Sequence, residues 1–470
     1  MLLMAKDKLV TSILLLALLT LFFIAPEWQL VTTFGMWLCV VLYSLRNIQE
    51  RLLLLLLQVT LFTFLMTRLM LPEIFTTSYI SEDATGTIRT FAPDTIRFIY
   101  TTLSLSICSS FAGYAMIAQK SDEALTLYDT STAYVEKIRL ISKILSYGCA
   151  AFYSLLFVEK MLFVIQNGYF EMYAEFDSQM PGVVHKLASL YKPLLFLFLA
   201  TFPDKREARI PLLFYFVVEL LSLGTGSRTV FMLALLFLIF YLMLRNRISP
   251  DDPWLTRKHM LVILAGAPIL LVGMFLIDFI RAGREMINGE LFDMFVNFFY
   301  QQGTSAQVIG LSYEMNDILG NRIFSFGQII DNFNKNFVFQ LMGTAVEYRP
   351  QTEEMAMYGH SLSNTISYYQ MYNSFLSGVG LGTSYIAEVW HDFGYIGLIL
   401  WNMLYGIVLA YIPRWAEKGL WPCAFGLIML TDILYAPRGH AGAFLNVFLS
   451  VTILFTFLFI HLLAKHSTKS

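Results

Sequence analysis

The sequence predicts an all-α polytopic membrane protein, a single integral unit of about 12 transmembrane helices with one large outer loop over residues 281–392. Three observations support this fold class. Hydrophobic residues make up 57% of the chain and charged residues only 14%, whereas soluble domains have about 25% charged residues. Apolar segments long enough to cross a bilayer recur along the chain. Lysines and arginines concentrate in alternate connections between these segments.

Twelve apolar segments have the length of a membrane span, for which about 20 mostly apolar residues are needed. They lie at residues 8–25, 29–45, 52–71, 98–118, 140–165, 183–202, 210–223, 229–244, 260–280, 393–412, 420–437 and 441–464. The first segment resembles a secretory signal, but Pro26-Glu27-Trp28 follows it in place of a small-residue cleavage site. We therefore predict that it is a retained span.

The basic residues predict the orientation, because lysine and arginine in short connections stay in the cytoplasm. With the N-terminus inside, 18 of the 32 lysines and arginines fall in inner connections, and each of these connections has at least two. The outer turns at residues 26–28 and 224–227 have none. We predict both termini in the cytoplasm and the loop 281–392 outside, with a Phe-rich interfacial helix over residues 291–300.

Several function classes are excluded by composition. The net charge is −2 and no segment resembles a basic arm, so nucleic-acid binding is not expected. The four cysteines lie in apolar segments without CxxC spacing, and no Asp-x-Asp motif or Walker-type glycine loop is present. We therefore expect neither a catalytic metal nor a nucleotide cofactor.

Four arginines depart from the charge distribution, since each lies at the predicted outer boundary. Arg228 follows a glycine-rich turn that opens a helix. Arg281 and Arg284 share a helix face where the outer loop begins, and Arg438 lies in the short turn between the last two spans. Guanidinium groups bind phosphate by paired, charge-assisted hydrogen bonds, so the set predicts a diphosphate or other polyanionic ligand. Alternatively, these arginines anchor the interface or pair with nearby acids, as Glu219 could pair with Arg228.

Acid and base candidates lie in the same outer region. Glu388 directly precedes the tenth span and His360 lies in the loop, and either side chain is suited to take a proton from an attacking hydroxyl. The expected substrate contacts are Tyr369, Tyr385, Asp392 and His440. A loop histidine is equally suited to a structural hydrogen bond, and tyrosines are also typical of interfacial helices.

Three motifs, in this order, resemble the O-antigen polymerase (Wzy) group of oligosaccharide repeat-unit polymerases. They are Gly-Thr-Gly-Ser-Arg-Thr at residues 224–229, Ile-Arg-Ala-Gly-Arg at 280–284, and Gly-Leu-Gly-Thr-Ser-Tyr-Ile-Ala-Glu at 380–388 ahead of Asp-Phe-Gly-Tyr-Ile-Gly at 392–397. The long outer loop and the number of spans are also similar, so the resemblance covers nearly the whole chain.

The resemblance implies a metal-independent glycosyltransferase of GT-C-like architecture in the bacterial inner membrane, with no cofactor. Its substrates would be undecaprenyl-diphosphate-linked oligosaccharide repeat units, and the growing glycan would be transferred to a hydroxyl of the incoming unit at the outer face. The arginines would bind the diphosphate, and Glu388 or His360 would be the base. Membrane lipid, a chain-length regulator and a flippase would be the partners.

Two other functions share part of this pattern. A glycan ligase would use the same architecture and the same arginine chemistry, with a terminal acceptor in place of another repeat unit. A flippase or transporter of lipid-linked oligosaccharide would use Lys143, Glu159 and Lys160 along its pathway. A transporter would also show repeat symmetry, which this sequence lacks.

Overall fold

The computed structural model of the chain describes residues 2–75, 91–117, 125–168, 171–225, 228–281, 291–334, 342–343, 346 and 348–468. Throughout these residues, helix is the only regular secondary structure. In this part of the chain nine helices are long and apolar enough to cross a membrane, or ten if the bent pair Ala443–Leu449 and Val451–Ser467 is one span. The prediction of an all-α, multi-pass membrane protein is confirmed at this level.

The helices follow one another along the chain in two groups, one before and one after residues 282–290. The first group is α1 Leu2–Ile24, α2 Gln29–Leu45, α3 Ile48–Leu61, α4 Thr67–Ile74, α5 Pro93–Ile117, α6 Ala133–Asn167, α7 Glu171–Ala174, α8 Gly182–Ser189, α9 Tyr191–Ala200, α10 Lys205–Leu221, α11 Arg228–Ile248 and α12 Arg257–Arg281. The second group is α13 Leu291–Gln302, α14 Ser305–Glu314, α15 Asn316–Leu319, α16 Gly327–Asn334, α17 Glu353–Tyr358, α18 Leu362–Gln370, α19 Tyr372–Leu376, α20 Tyr385–Lys418, α21 Leu420–Tyr435, α22 Asn446–Leu449 and α23 Val451–Ser467.

All twelve predicted segments overlap helices, but fewer of them qualify as spans in the described residues. Helix α5 has the length of a span, yet hydroxyl side chains occupy much of its surface. Thr102, Ser106 and Ser110 bond to carbonyl oxygens one turn earlier in the same helix. These internal bonds satisfy the hydroxyls. The helix is nevertheless less apolar than a typical span, so it is not among the candidate spans although the sequence predicted one here.

The chain forms two compact units that are interleaved in sequence. The first contains Met1–Lys120, Met286–Ala410 and Ile433–Ala443, and the second contains Ser121–Glu285, Tyr411–Asp432 and Phe444–Ser470. That the whole chain acts as a single integral unit, with the 281–392 loop capping a site, stays a prediction.

In the first unit, α5 and the middle of α20 approach closely at two glycines. A Cβ added at Gly113 would meet the Met403 carbonyl oxygen, and one added at Gly406 would meet the Ser110 carbonyl oxygen. Small residues at a crossing let helix backbones come this near in a membrane. Asn402 Nδ2 also donates to Ser106 Oγ at 3.2 Å. The middle of α20 is therefore held closely against α5.

The outer-loop segment of the first unit is built from short helices with side-chain caps. Thr352 Oγ1 accepts from the Met355 N–H at 3.3 Å at the start of α17, and Ser361 Oγ accepts from the Asn364 N–H at 3.4 Å at the start of α18. Such caps satisfy N–H groups that a short helix leaves without internal partners. Helix α13 confirms the helix predicted over the Phe-rich stretch.

In the second unit, aromatic side chains of α9 and α11 form much of the packing. The rings of Phe196 and Phe237 stack with centroids 4.3 Å apart, and the Tyr241 hydroxyl donates to the Leu199 carbonyl oxygen at 3.0 Å. Both kinds of contact hold the two helices side by side, because stacked rings bury area and the buried hydroxyl finds an acceptor.

Candidate active site

Glu388, in the first turn of α20, has a fully buried carboxylate with three hydrogen-bond donors. Oε1 accepts from the Thr383 hydroxyl at 2.8 Å and lies 2.8 Å from His440 Nδ1. Oε2 accepts from the Ala441 N–H at 2.9 Å. A buried carboxylate without partners costs several kcal/mol. These three donors therefore explain how the charge is tolerated, and they tie α20 to the turn at residues 439–442.

The 439–442 turn is held from two further sides. The Tyr405 hydroxyl, on α20, donates to the Ala441 carbonyl oxygen at 2.7 Å. The Gly442 N–H donates to the Ser325 carbonyl oxygen at 2.8 Å, just before α16 begins. A Cβ at Gly442 would lie 2.6 Å from that oxygen, so only glycine permits the approach. His440 is thereby fixed between α20 and α16.

The charge state of His440 follows from its surroundings. Burial alone would lower the pKa of the imidazole, but the carboxylates of Glu388 and Asp331 favour the protonated form and raise the pKa above its ordinary value. Its side chain keeps 23% of its surface exposed. Since Nδ1 is bonded to Glu388, Nε2 is the ring nitrogen left for a ligand. His440 is therefore suited to act as a cationic hydrogen-bond donor.

A second histidine–carboxylate pair lies in the same unit. His360 Nδ1 is 3.0 Å from Asp331 Oδ1, and the His360 N–H donates to Asp331 Oδ2 at 3.3 Å. Both side chains are about one-quarter exposed, at 25% for His360 and 24% for Asp331. The Nδ1 bond leaves His360 Nε2 as the nitrogen that can accept a proton.

Arg438 lies two residues before His440 on the same connection. Its Nη1 donates to the Gln302 carbonyl oxygen at 3.0 Å, and its Cζ lies 5.8 Å from the centre of the Phe64 ring. The carbonyl is a neutral acceptor, so this bond orients the guanidinium without cancelling its charge. The remaining N–H groups keep the fork geometry that suits phosphate.

Asp392, Tyr385 and Tyr369, three of the residues predicted to contact substrate, each have their own hydrogen-bond partners or exposure. Asp392 accepts from the N–H groups of Phe324 and Ser325 at 3.0 and 2.7 Å and from the Ser325 hydroxyl at 2.5 Å. Tyr385 is fully buried and its hydroxyl donates to Asn402 Oδ1 at 2.6 Å. Tyr369 is 47% exposed. Contact of these residues with substrate stays a prediction, and the first two also have a structural role.

The other predicted arginines belong to the second unit. Arg228 is the first residue of α11, and Arg281 is the last residue of α12, with its side chain outside the described residues. Arg284 also lies outside the described residues. Glu219 contacts Lys192 Nζ at 3.0 Å and the Tyr153 hydroxyl at 3.2 Å. The convergence of the four arginines on one ligand stays a prediction.

Two residues of the site were not singled out from the sequence. Asp331 precedes His360 by 29 residues, and acids are common in polar loops, so no spacing pattern marked it. Thr383 lies in the glycine-rich stretch ahead of α20, and its five-residue distance from Glu388 is the only local signal. In the part of the chain that the structure describes, no cluster of three or more His, Cys, Asp or Glu side chains is arranged to hold a metal ion.

Gly327→Ala tests how tightly His360 is held. A Cβ at this position would lie against the His360 carbonyl oxygen, a backbone atom with little freedom to move. We expect a loss of about 1–3 kcal/mol in unfolding free energy, the usual cost of overpacking, measured by thermal unfolding in detergent. The matched control is Gly148→Ala, where an added Cβ meets nothing within 4 Å. Equal melting temperatures for both variants would contradict the close contact.

Comparison with known proteins assigns the chain to a family. No curated protein and no solved structure matches it. One family model does match, described as O-antigen polysaccharide polymerase Wzy, and it covers residues 8–470. This is nearly the full length and includes Glu388, His440, His360 and Arg438. The chain therefore belongs to the Wzy family of O-antigen polysaccharide polymerases, membrane proteins that polymerise O-antigen repeat units.

Proposed function

We propose that this polymerase works at the outer face of the bacterial inner membrane, without a metal ion, on repeat units linked to undecaprenyl diphosphate. The growing glycan is transferred from its lipid diphosphate to a hydroxyl of the incoming lipid-linked unit. The observation that carries the proposal is the Glu388–His440 pair, with Arg438 two residues away. The cationic imidazole of His440 and the guanidinium of Arg438 thus lie on one short connection. Two such positive groups would stabilise the negative charge that develops on a diphosphate leaving group.

The transfer step assigns a role to each group. The acceptor hydroxyl oxygen attacks the anomeric carbon, and the bond from that carbon to the diphosphate oxygen breaks with its electron pair remaining on the diphosphate. His440 Nε2–H and Arg438 donate hydrogen bonds to the developing negative charge. His360 Nε2 accepts the proton of the attacking hydroxyl. Glu388, whose carboxylate is already engaged by three donors, acts by orienting His440.

The positive charge in this proposal comes from protein side chains. Arg438 and His440 supply it in the first unit, and Arg228, Arg281 and Arg284 are the further candidates. A tyrosine-rich loop surface, including Tyr369, is the candidate for the sugar. A lipid tail of polyprenyl length needs access from the bilayer, and a chain-length regulator and a flippase are the partners that we infer.

The inner-membrane location and the cytoplasmic termini rest on the distribution of lysine and arginine. The alternation of basic inner connections with outer turns that lack them supports this orientation. It puts the 436–442 connection, with Arg438 and His440, on the outer side, where lipid-linked repeat units are polymerised in this proposal.

The contacts of the candidate pathway charges do not favour a transporter. Lys143 pairs with Glu207 at 3.6 Å, and Glu159 accepts from the Ser178 hydroxyl at 2.6 Å and the Gln179 N–H at 2.8 Å. These are contacts that stabilise the second unit's own fold. A charge along a transport pathway would face a water-filled cavity, whereas Glu159 is bonded to a hydroxyl and a main-chain N–H.

The proposed function predicts chain growth by the isolated protein. The purified chain in liposomes, given a lipid-diphosphate-linked repeat unit as the sole glycan, should produce a ladder of lengths that EDTA does not reduce. Product lengths are read by gel electrophoresis, and Glu388→Gln protein is the negative control. Transfer of single glycans to a different acceptor would indicate a ligase. Intact lipid-linked unit crossing the bilayer without any growth would indicate a transporter.

A further inference from the structure

Asp331, on α16, is hydrogen-bonded to His360, and the same helix contacts the turn that contains His440. On one side it accepts from His360, through the ring at 3.0 Å and through the backbone N–H at 3.3 Å. Its carboxylate therefore fixes both the ring and the main chain of that residue. A histidine held in this way keeps one tautomer, with the proton on Nδ1 and the lone pair on Nε2.

On the other side, α16 contacts the turn that contains His440. The Gly442 N–H donates to the Ser325 carbonyl oxygen at 2.8 Å, and a Cβ at Gly442 would lie 3.5 Å from Ile329 Cδ1, on the first turn of α16. Asp331 follows Ile329 by two residues on this helix, and its negative charge favours protonated His440. The same short helix thus supports both histidines.

The charged groups around the two histidines come from each neighbouring element. Glu388 bonds to His440 from α20, and Arg438 lies on the same connection as His440. Asp331 bonds to His360 from α16, and its charge also favours protonated His440. Within the described residues, the Glu388 carboxylate accepts from Thr383, His440 and Ala441, and His360 is not among these hydrogen-bond partners. Asp331 is the group that acts on both histidines.

We propose that Asp331 is a positioning residue shared by His360 and His440, so that one carboxylate sets up the proton acceptor and the cationic donor of the same transfer step. The inference rests on the proposed function of the two histidines. It explains why a partly exposed aspartate lies in the middle of a short helix that contacts both functional segments. It also implies that removal of the Asp331 charge affects both the proton acceptor, His360, and the cationic donor, His440.

Asp331→Asn separates this role from a purely structural one. The amide can still accept one of the two hydrogen bonds from His360, its NH₂ group faces the other donor, and the charge that acts on His440 is lost. We expect elongation to fall about tenfold to a hundredfold, less than the roughly 10²–10⁴-fold contribution of an acid–base group itself. The alkaline limb of the pH–rate profile should also move to lower pH, because protonated His440 is less stabilised. Asp317→Asn, an exposed acid on α15 of the same loop, is the matched control and should change neither.

A second measurement reads His440 without using activity. Diethyl pyrocarbonate reacts with neutral imidazole, and mass spectrometry of the peptide that contains His440 gives its modification against pH. In Asp331→Asn protein the midpoint should move to lower pH, and in Asp317→Asn protein it should stay. An unchanged midpoint together with an unchanged pH–rate profile would overturn the shared role. Absence of any ladder from the unaltered protein would instead count against the proposed function, while the modification profile would still test Asp331.

Discussion

Glu388→Gln is expected to reduce elongation by about 10²–10⁴-fold, with an upper limit near the roughly 10⁴-fold loss when the carboxylate of a Ser-His-Asp triad becomes an amide. The carboxylate accepts from the Thr383 hydroxyl, from His440 and from the Ala441 N–H. An amide offers one acceptor oxygen and one NH₂ group, so at least one donor then faces another donor in a fully buried place. His440 either loses its partner or changes tautomer.

The same substitution predicts a change in pH dependence. Glu388 is the main cause that raises the pKa of His440 against the opposing effect of burial. A raised pKa means that the stabilising charge pair is present below the unfolded-state pKa and is lost as pH rises through the folded-state pKa. Elongation by the unaltered protein should therefore fall on the alkaline side. In Glu388→Gln protein, the alkaline decline of the residual activity should begin at a lower pH than in the unaltered protein.

A matched control is available for this test. Glu354→Gln changes an exposed acid on α17 of the same unit and should leave rate, pH profile and melting temperature unchanged. Rates are measured from single-turnover elongation with lipid-linked repeat units, and folding from thermal unfolding. Glu388→Gln protein that is folded and elongates at the normal rate would remove the pair from the mechanism.

The membrane class and the positions of the helices could be predicted from the sequence because they depend on local properties. A run of about 20 apolar residues in a bilayer forms a helix, since a helix satisfies the backbone hydrogen bonds within the segment itself. The number of spans was harder to predict. Helix α5 has the length of a span, but the hydroxyls of Thr102 and Ser106 reduce its apolar surface.

The site residues were partly predictable because charges are rare in this chain. Glu388, His360, His440 and Arg438 stand out for that reason, although their partners do not. Glu388 and His440 are 52 residues apart, and their contact depends on the packing of the 439–442 turn against α20. The interleaving of two units along the chain is likewise a tertiary property. Local patterns contain no information about either.

The roles of the site residues are harder to predict than their positions. Residue type alone favours Glu388 as a base, because a carboxylate near the outer boundary is suited to accept a proton. The three donors around that carboxylate favour an orienting role instead. Because Nδ1 of each histidine is engaged, Nε2 is the atom that would accept a proton at His360 and donate a hydrogen bond at His440. Only the hydrogen-bond partners of each group distinguish a base from the residue that positions it.

Arg438→Ala is expected to reduce elongation by about 10²–10³-fold, as removal of one donor to a developing negative charge does in other enzymes. The guanidinium is oriented by the Gln302 carbonyl oxygen at 3.0 Å and by the Phe64 ring, so its direction is set before substrate arrives. Arg438→Lys keeps the charge but loses the planar fork, and should recover only part of the rate.

A structural role for Arg438 predicts a different set of results. If Arg438 only stabilises the turn, loss of its bond to Gln302 would lower the stability of Arg438→Ala and Arg438→Lys protein alike. If it also binds the diphosphate, its loss would weaken inhibition by added polyprenyl diphosphate. That inhibition should weaken in Arg438→Ala protein and stay normal in Arg349→Ala protein, in which an exposed arginine of the same loop is removed. Suppose instead that polyprenyl diphosphate inhibits Arg438→Ala and Arg349→Ala protein equally, and that only Arg438→Ala protein has a lower melting temperature. Arg438 then stabilises the turn, and the leaving group is bound elsewhere.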